Sequence, residues 1–304
     1  QTMDKVISKL ETIGLKKEQD KLEGFYESVR IRAEGIDNLE AKQSIIVQLY
    51  DKFFSIGFKS TTQRLGIVFT PVEVVDFIIK SVNELSLKYF GKSLSEENVN
   101  IFDPFTGTGT FITRLLQSGL IKKDDLLRKY LKEIHANEII LLSYYIAAIN
   151  IEETFKEVVQ SKEYLPYEGI VLTDTFASTE QETVLDNDLF GDNNSRLQKQ
   201  KEMPITVILG NPPYSIGQNS ANDDNQNVKY PKLDNRIEET YVKYSKANLL
   251  RSLYDSYIKA FRWSTDRIGK SGIIGFVTNA SFIDSRGTDG LRKSWYDEFN
   301  YIYI

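Results

Sequence analysis

The chain has 304 residues, of which 41% are hydrophobic and 12% aromatic, enough for one large domain with a sizeable core. It contains no cysteine and one histidine, His135, which excludes disulfides, thiolate metal sites and histidine metal clusters within the chain. The net charge of −5, from 38 basic and 43 acidic residues, does not indicate a nucleic-acid-binding protein, so such a function would have to rest on local chemistry.

The first sixty residues predict two or three helices. They carry dense charge, little glycine and no proline, and apolar residues such as Ile45, Leu49 and Phe53 follow a helical spacing. A further helix is predicted over residues 72–90, because the preceding Thr70-Pro71 places a proline where helices start well. We therefore divide the chain into a helical segment, residues 1–60, and a second domain, residues 61–304.

Two expectations concern the ends of the chain and its compartment. The apolar run at residues 301–304 leads us to expect that the second domain is truncated at its carboxyl terminus. No apolar run approaches the roughly 18 residues of a membrane span, and the first residues lack a signal-peptide pattern. The sequence therefore favours a cytoplasmic protein without a membrane partner.

From residue 99 onward, short apolar segments alternate with helical patterns. Strands are predicted at residues 99–102, 134–137, 169–172, 205–209 and 272–277, with a sixth beginning at Ile302. Helices are predicted over residues 109–117, 139–158 and 249–267, and irregular structure over residues 175–203 and 215–246. This alternation predicts an α/β fold with a doubly wound, mostly parallel sheet, preceded by the helical segment.

Polar residues follow four of these strands, where ligands of such sheets bind. They are Asp103, Glu138, Asp174 and Asn211. This coincidence predicts a single site at the carboxyl ends of the strands.

The first part of this site is a strand that ends in an acid and enters a glycine-containing turn, residues 103–111. Glycine lets a backbone bend sharply and approach a ligand closely. The turn lacks the Gly-Lys-Ser/Thr of a phosphate loop, and Ile112 stands where the dinucleotide fingerprint has its third glycine. Asp103 instead suits the cationic amino group of a methionine moiety. A strand-to-helix turn without a ligand is the alternative.

Two more acids follow strands. Glu138 is placed to accept both ribose hydroxyls of an adenosine, or it is a helix N-terminal acid stabilised by the dipole. Asp174 is placed to accept from an adenine amino group, or it is a turn residue or helix cap. Neither acid decides between its two interpretations on its own.

The most informative motif is Asn211-Pro212-Pro213-Tyr214, which follows an apolar strand. Two prolines fix the backbone and remove two donors, so the carbonyls here act as acceptors. An exocyclic amine has two hydrogens, which the Asn211 side-chain oxygen and the Pro212 carbonyl could accept. Tyr214 offers a face for a flipped-out base, and such stacking contributes about 1–3 kcal/mol. The pattern favours a catalytic loop over a rigid turn with an incidental aromatic residue.

In type, order and spacing, these motifs resemble the gamma-ordered DNA amino-methyltransferases over about residues 60–304. The resemblance implies a Rossmann-like fold that uses S-adenosylmethionine to methylate N6 of an adenine flipped out of double-stranded DNA, with no metal. The implied catalytic residues are Asn211, Pro212, Pro213 and Tyr214. The implied cofactor-binding residues are Thr70, Pro71, Asp103, Pro104, Phe105, Gly107, Gly109, Glu138 and Asp174. The implied substrate-binding residues are Tyr214, Asn279 and Phe282.

Residues 230–234, 253–257 and 261–263 further resemble the methyltransferase segment of Type ISP-like single-polypeptide restriction-modification proteins. In that family a nuclease and a helicase-like motor precede the methyltransferase, and a target-recognition domain follows. The resemblance implies that these regions are covalently linked partners and that residues 1–60 belong to a helical coupler. The glycine motif departs from relatives at Phe105 and Thr106, where small residues are common.

Three alternatives remain open. An Asn-Pro-Pro-Tyr loop also suits a methyltransferase acting on protein glutamine or RNA, since it can hold other planar amides and amines. Cytosine-N4 methylation is the second, although Ser-Pro-Pro would favour it more. The third is a catalytically silent DNA-binding or coupling module, which an intact set of site residues disfavours. His135, inside a predicted strand, is predicted to be structural.

Overall fold

The computed structural model describes residues 70–180, 187–214, 229–248 and 250–304, so the helices predicted within residues 1–60 lie outside the described residues. The strands are β1 Ile101–Asp103, β2 Ile134–Glu138, β3 Ile170–Leu172, β4 Val207–Gly210 and β5 Ile273–Phe276. All neighbouring pairs are parallel, in the order β3-β2-β1-β4-β5. The strand order reverses between β1 and β4, which makes this the topological switch point of a doubly wound sheet. The predicted fold class is confirmed.

The helices between and after the strands occupy both sides of the sheet. The α-helices are α1 Val72–Phe90, α2 Thr110–Gln117, α3 Leu126–Arg128, α4 Leu141–Val159, α5 Asn187–Glu202, α6 Pro231–Ile237, α7 Ser256–Ile268, α8 Ser281–Asp284 and α9 Asp289–Glu298. π-helical turns follow α3 and α6, at Lys129–Glu133 and Glu238–Val242. Among the described residues, no helix is both long enough and apolar enough to span a membrane.

Alternating residues of the central strands pack into two hydrophobic cores, one on each face of the sheet. Ile101 of β1 and Leu209 of β4 pack with α1, α2 and α4 on one face. Phe102 and Ile208 point to the other face, where they pack with Trp263 of α7. The period of two is that of a strand, and burial on both faces explains why these strands are apolar throughout.

Two predicted irregular regions contain helices, so those predictions are wrong in part. Over residues 191–202 of α5 the buried positions are Asn193, Leu197 and Gln200, which follow a helical spacing but are mostly polar. Asn193 exchanges two hydrogen bonds with the backbone of Leu172 on the edge strand β3, at 2.7 and 3.0 Å. Gln200 donates to the carbonyl of Ala136 at 3.3 Å. A helix held by amide side chains has no apolar stripe, which is why hydrophobic periodicity does not reveal it.

The second region, predicted as irregular over residues 215–246, is described only from residue 229 onward. Here α6 and the turn after it bury Leu233, Ile237 and Tyr241, which are spaced by four residues. This spacing places the three side chains on one helical face. The preceding polar stretch and Pro231 obscured that pattern in the sequence.

The helix predicted over residues 249–267 is interrupted. A 3-10 turn covers Arg251–Tyr254, Asp255 is extended with φ −60° and ψ 145°, and α7 begins at Ser256. The apolar spacing continues across the break because Leu253 and Tyr257 are buried in the same cluster. The backbone carbonyl of Asp255 accepts from the amide of Lys259 at 2.9 Å, which is the first hydrogen bond of the new helix.

The prediction of a sixth strand at Ile302 is also wrong, since residues 301–304 form no strand. Instead, the ring of Tyr301 stacks on that of Tyr89 in α1, with centroids 4.0 Å apart. The hydroxyl of Tyr303 is hydrogen-bonded to that of Tyr89. The aromatic side chains therefore direct this segment onto the end of α1.

Candidate functional site

The four polar residues predicted to share a site all lie at or just after the carboxyl ends of parallel strands, along the same side of the sheet. Asp103 ends β1 and Glu138 ends β2, while Asn211 directly follows β4. Because β1 pairs with both β2 and β4, these three positions adjoin the switch point. Asp174 follows β3, the strand beyond β2.

Asp103 is a buried acid with one unused oxygen. Its side chain is 1% exposed, and Oδ1 accepts a hydrogen bond from the Phe105 amide at 3.1 Å. Oδ2 is buried without a hydrogen-bond partner in the described part of the chain. Burial raises the pKa of Asp103 to about 8, and the nearby carboxylate of Glu138 adds to the rise. A buried acid of this kind in a ligand-binding edge is characteristic of functional sites.

Gly210 is required beside Asp103, which sequence reasoning did not identify. Its φ is +155°, and a Cβ here would lie 2.8 Å from Asp103 Oδ1. Any other residue would therefore push the acid out of its place. In the sequence, the position of Gly210 between an apolar strand and Asn211 was the only indication that a glycine is needed here.

Glu138 ties the glycine turn to the end of β2. Its Oε2 accepts from the Gly107 amide and its Oε1 from the Ile140 amide, each at 2.8 Å. Burial raises the pKa of Glu138 to about 7, and these amide donors oppose the rise. A carboxylate has about four acceptor positions, so these two bonds leave capacity for hydroxyl donors of a ligand.

The two glycines predicted to bind the cofactor differ in their surroundings. Gly107 has φ +57°, and, apart from its chain neighbours, no heavy atom of the described residues lies within 4 Å of the position a Cβ would take, so within the described part of the chain this side of the turn is open. Gly109 has φ +88°, and its Cβ would meet the Ile151 side chain of α4 at 3.2 Å. The geometry thus gives Gly107 room for a ligand and gives Gly109 a role in packing α2 against α4.

The remaining residues of the turn lie between β1 and the segment after β3. Pro104 is buried, and its carbonyl accepts from the hydroxyl of Thr175 at 2.6 Å. The ring of Phe105 is half-buried and meets the rings of Phe176 at 5.4 Å and Phe276 at 6.2 Å. These contacts join the glycine turn to β5 and to the neighbourhood of Asp174.

Asp174 caps a turn and also contacts a residue distant in sequence. Its Oδ1 accepts from the amides of Phe176 at 2.9 Å and Ala177 at 3.3 Å. Its Oδ2 accepts from the hydroxyl of Tyr230 at 2.8 Å. The cap that the sequence offered as an alternative is present, and Tyr230 is a contact that the sequence did not suggest.

Asn211 lies in the loop after β4, and its side-chain amide is hydrogen-bonded on both sides. The Asn211 Nδ2 donates to the hydroxyl of Thr70 at 2.9 Å, and Oδ1 accepts from the hydroxyl of Tyr214 at 3.2 Å. The single hydroxyl hydrogen of Tyr214 is shared between this Asn211 oxygen and the carbonyl of Val277, which lies 3.1 Å away just after β5. Thr70, predicted as a cofactor residue, therefore contacts the predicted catalytic residue.

The other residues beside this loop have different environments. Pro212 is buried, whereas Pro213 and Tyr214 are half-buried. Pro71 is exposed at the start of α1, where its carbonyl accepts from the amides of Val74 and Val75 at 3.1 Å. Its position beside Thr70 fixes where α1 begins relative to the Asn211 loop.

Aromatic side chains support Tyr214 from behind. Its ring lies 5.8 Å from that of Tyr257, which is buried. Phe282, predicted to contact a substrate base, is 8% exposed and packs against Phe261 at 5.8 Å and Trp295 at 5.3 Å. Phe282 thus belongs to the buried hydrophobic cluster against which Tyr214 packs.

Asn279 is exposed near the end of β5. Its Oδ1 accepts from the Ser281 amide at 2.9 Å, which starts the short helix α8. His135 lies inside β2, 8% exposed, and burial lowers its pKa to about 4, so its imidazole is neutral at pH 7. It is not among the residues that follow the strands.

Comparisons with known proteins show which family the chain is similar to. A family model described as N-6 DNA Methylase matches residues 41–282, and one described as the coupler domain of Type ISP restriction-modification enzymes matches residues 1–41. A search of curated proteins gave no match.

Three solved structures are similar to nearly the whole chain. The first is a nuclease-deletion mutant of the Type ISP restriction-modification enzyme LlaGI in complex with a DNA substrate mimic, at 56% identity and a TM-score of 0.87, covering 99% of this chain and 24% of that one. The second is the ATP-dependent Type ISP enzyme LlaBIII bound to DNA, at 56% identity and 0.86, covering 97% and 20%. The third is a DrdV–DNA complex, at 39% identity and 0.86, covering 94% and 28%. The chain therefore spans between 20% and 28% of the length of these structures.

Proposed function

Since the chain belongs to the N-6 DNA methylase family, we propose that it transfers a methyl group from S-adenosylmethionine to the exocyclic N6 of an adenine flipped out of double-stranded DNA. The observation that carries this proposal is the Asn211 amide, held between Thr70 and Tyr214 next to the buried acid of β1. The DNA in the similar structures supports DNA as the substrate. Their greater length supports a larger restriction-modification protein with linked motor, nuclease and target-recognition regions.

The residues at the sheet edge fit S-adenosylmethionine. The buried Asp103 Oδ2 needs a donor, and a cationic amino group would supply one together with a compensating charge. The open space beside Gly107 lets a ligand approach the backbone. Glu138 would accept from ribose hydroxyls, and Asp174 from the adenine amino group of the cofactor. When bound, this cofactor supplies a sulfonium methyl group as the electrophile.

Asn211 and Pro212 would act on the target amine. Asn211 Oδ1 and the Pro212 carbonyl each accept one hydrogen of the adenine amino group, which orients the nitrogen lone pair towards the methyl group. These acceptors also stabilise the positive charge that develops on nitrogen. The two acceptors would hold the amine for transfer of the sulfonium methyl group, and the methylated nitrogen would release a proton to water, so no base with an unusual pKa is required.

Thr70 and Tyr214 would keep the Asn211 amide in this orientation. An amide that can rotate presents its NH₂ group to the target half of the time, which opposes binding of an amine donor. The Thr70 hydroxyl, as acceptor for Nδ2, favours the rotamer in which Oδ1 lies on the Tyr214 side. A carbonyl oxygen accepts two hydrogen bonds, so the one from Tyr214 is compatible with one from the target amine.

The test uses the full-length protein and labelled S-adenosylmethionine. We expect label on adenine N6 of unmethylated DNA and little on DNA already methylated there. Asn211→Ala should lower the rate about 10²–10³-fold, as loss of a positioned hydrogen-bonding group does in other active sites. Its affinity for S-adenosylhomocysteine should change less than about twofold, because this acceptor contacts only the target.

Two results would contradict the proposal. One is an Asn211→Ala protein that methylates adenine at nearly the wild-type rate. The other is label found on cytosine, on RNA or on a glutamine-containing peptide instead of adenine in DNA. A wild type that binds cofactor and DNA but transfers no methyl group would support a catalytically silent module.

A further inference from the structure

Tyr230, which directly precedes α6, is not among the predicted site residues. Its hydroxyl donates to Asp174 Oδ2 at 2.8 Å. Its ring meets the ring of Phe176 edge-on, with centroids 5.3 Å apart. Phe176 in turn lies 5.4 Å from Phe105 of the glycine turn. Tyr230 is therefore joined to the cofactor-side residues by a hydrogen bond and by aromatic packing.

The start of α6 holds Tyr230 in this place. The carboxylate of Glu180 accepts from the amides of Lys232 at 2.8 Å and Leu233 at 2.9 Å. The amide of Tyr230 itself donates to Asp234 at 3.2 Å. Since Glu180 follows the turn that Asp174 caps, the segment after β3 and the start of α6 are fastened together at two carboxylates.

These contacts leave the Asp174 carboxylate in one orientation. Two backbone amides bind Oδ1, and the Tyr230 hydroxyl binds Oδ2. Burial and the neighbouring Asp174 raise the pKa of Tyr230, so its hydroxyl keeps its proton and acts as the donor. A carboxylate has about four acceptor positions, so Oδ2 can accept from a ligand amino group as well as from Tyr230.

We infer that Tyr230 is a positioning residue of the cofactor site, which holds Asp174 in the orientation that accepts the 6-amino group of the cofactor's adenine. This inference rests on the proposed function, because it assumes that Asp174 contacts that adenine. It gives the segment after the catalytic loop a role on the cofactor side in addition to any contact with DNA.

The test measures binding of two ligands by calorimetry. They are S-adenosylhomocysteine and its analogue with hydrogen in place of the 6-amino group. Wild type should prefer S-adenosylhomocysteine by about tenfold. Tyr230→Phe, which removes only the hydroxyl, should lower that preference to about twofold while binding the analogue as wild type does. Tyr296→Phe, at an 84% exposed residue of α9, is the matched control and should change neither affinity.

The discrimination between the two ligands separates positioning from a general structural role. A Tyr230→Phe protein that loses affinity for both ligands equally, or for neither, would overturn the role of Tyr230 while leaving the proposed function intact. A folded wild-type protein that binds neither ligand would overturn both. Melting temperatures of all three proteins, compared at the same pH, would show whether the phenylalanine variant is as stable as wild type.

Discussion

Buried charged groups occur at both ends of the central strands, and the two sets are satisfied differently. At the amino ends, Lys129 is fully buried just before β2. Its Nζ donates to the carbonyls of Glu96 at 2.7 Å and Val99 at 2.8 Å, and lies 3.0 Å from Glu133 Oε2. Glu133 also pairs with Arg128. The protein itself supplies every partner that these charges use.

At the carboxyl ends, Asp103 and Glu138 are buried without such compensation. Neither forms a salt bridge in the described ranges, and the two acids are close enough to raise the pKa of Asp103. Both pKa values lie above their usual range, at about 8 and about 7. Desolvation of an acid without a cation costs free energy that the fold does not recover internally.

We expect the difference to separate buried charges that stabilise the fold from buried charges that a ligand would compensate. The Lys129 cluster fixes the entry to β1 and β2, so its loss should affect stability. Asp103 and Glu138 reduce the stability of the ligand-free protein, and a ligand with a cation and hydroxyl donors would restore it. Two predictions separate these two roles, and a third concerns the contact that links the two halves of the site.

The largest effect is expected at the amino-end cluster. Lys129→Met leaves Glu133 buried with one partner fewer and two carbonyls without their donor, which should lower the free energy of unfolding by about 3–5 kcal/mol. Urea unfolding measures this value. Lys293→Met, at a side chain that is 46% exposed, is the control and should cost less than about 1 kcal/mol. Equal costs for the two variants would contradict a structural role for the cluster.

At the carboxyl ends of the strands, we expect a substitution to raise the free energy of unfolding near pH 8 instead of lowering it. The pKa of Asp103 is about 8 in the folded protein, against 3.8 for an unperturbed aspartate, so the folded state holds a proton that the unfolded state releases. Its contribution to stability is therefore complete below about pH 4 and is lost as the pH rises towards 8. Asp103→Asn cannot titrate at this position, so its stability relative to wild type should rise by about 3–4 kcal/mol between pH 5 and pH 8.

Unfolding curves at the two pH values, without ligand, test this expectation. Glu138 changes in the same direction and remains in both proteins, so it cancels in the comparison. A variant whose stability relative to wild type is the same at pH 5 and pH 8 would show that Asp103 is ionised throughout this range.

The smallest effect concerns Thr70, which connects the two halves of the site. Thr70→Val keeps the shape but removes the acceptor for Asn211 Nδ2, and should lower the methyl-transfer rate about tenfold. Thr70→Ser should remain within about twofold of wild type. If Thr70 instead acts mainly on the cofactor, the valine variant will lose affinity for S-adenosylhomocysteine and keep its rate at saturation.

Local patterns in the sequence predicted the five strands of the sheet and the polar residues that follow four of them, but they also predicted a sixth strand that does not form. The strand that ends at Asp103 and the one before Asn211 are short apolar runs bounded by proline or glycine. Such runs predict a buried strand from neighbouring residues alone. The helix α5 was missed because Asn193 and Gln200 anchor it with side-chain amides. Polar anchors of this kind leave no periodic hydrophobic signal.

The parts of the site that the sequence did not predict depend on contacts between distant residues. Thr70 and Asn211 are 141 residues apart, and Asp174 and Tyr230 are 56 residues apart. A single sequence shows which residues can accept or donate, but the pairing is decided only when α1 and α6 pack against the sheet. The same holds for Gly210, whose requirement arises from the carboxylate on the neighbouring strand.

The central claim is that Asp103 is a buried acid whose charge would be compensated by a cationic group of a ligand. Proton release on ligand binding tests this claim. Titration calorimetry with S-adenosylhomocysteine at pH 7, in buffers of different ionisation enthalpy, counts the protons. With a pKa of about 8, Asp103 is mostly protonated before binding and should ionise beside the amino group of the ligand. Wild type should therefore release close to one proton more than Asp103→Asn. Equal proton release by the two proteins, or none by wild type, would contradict the account.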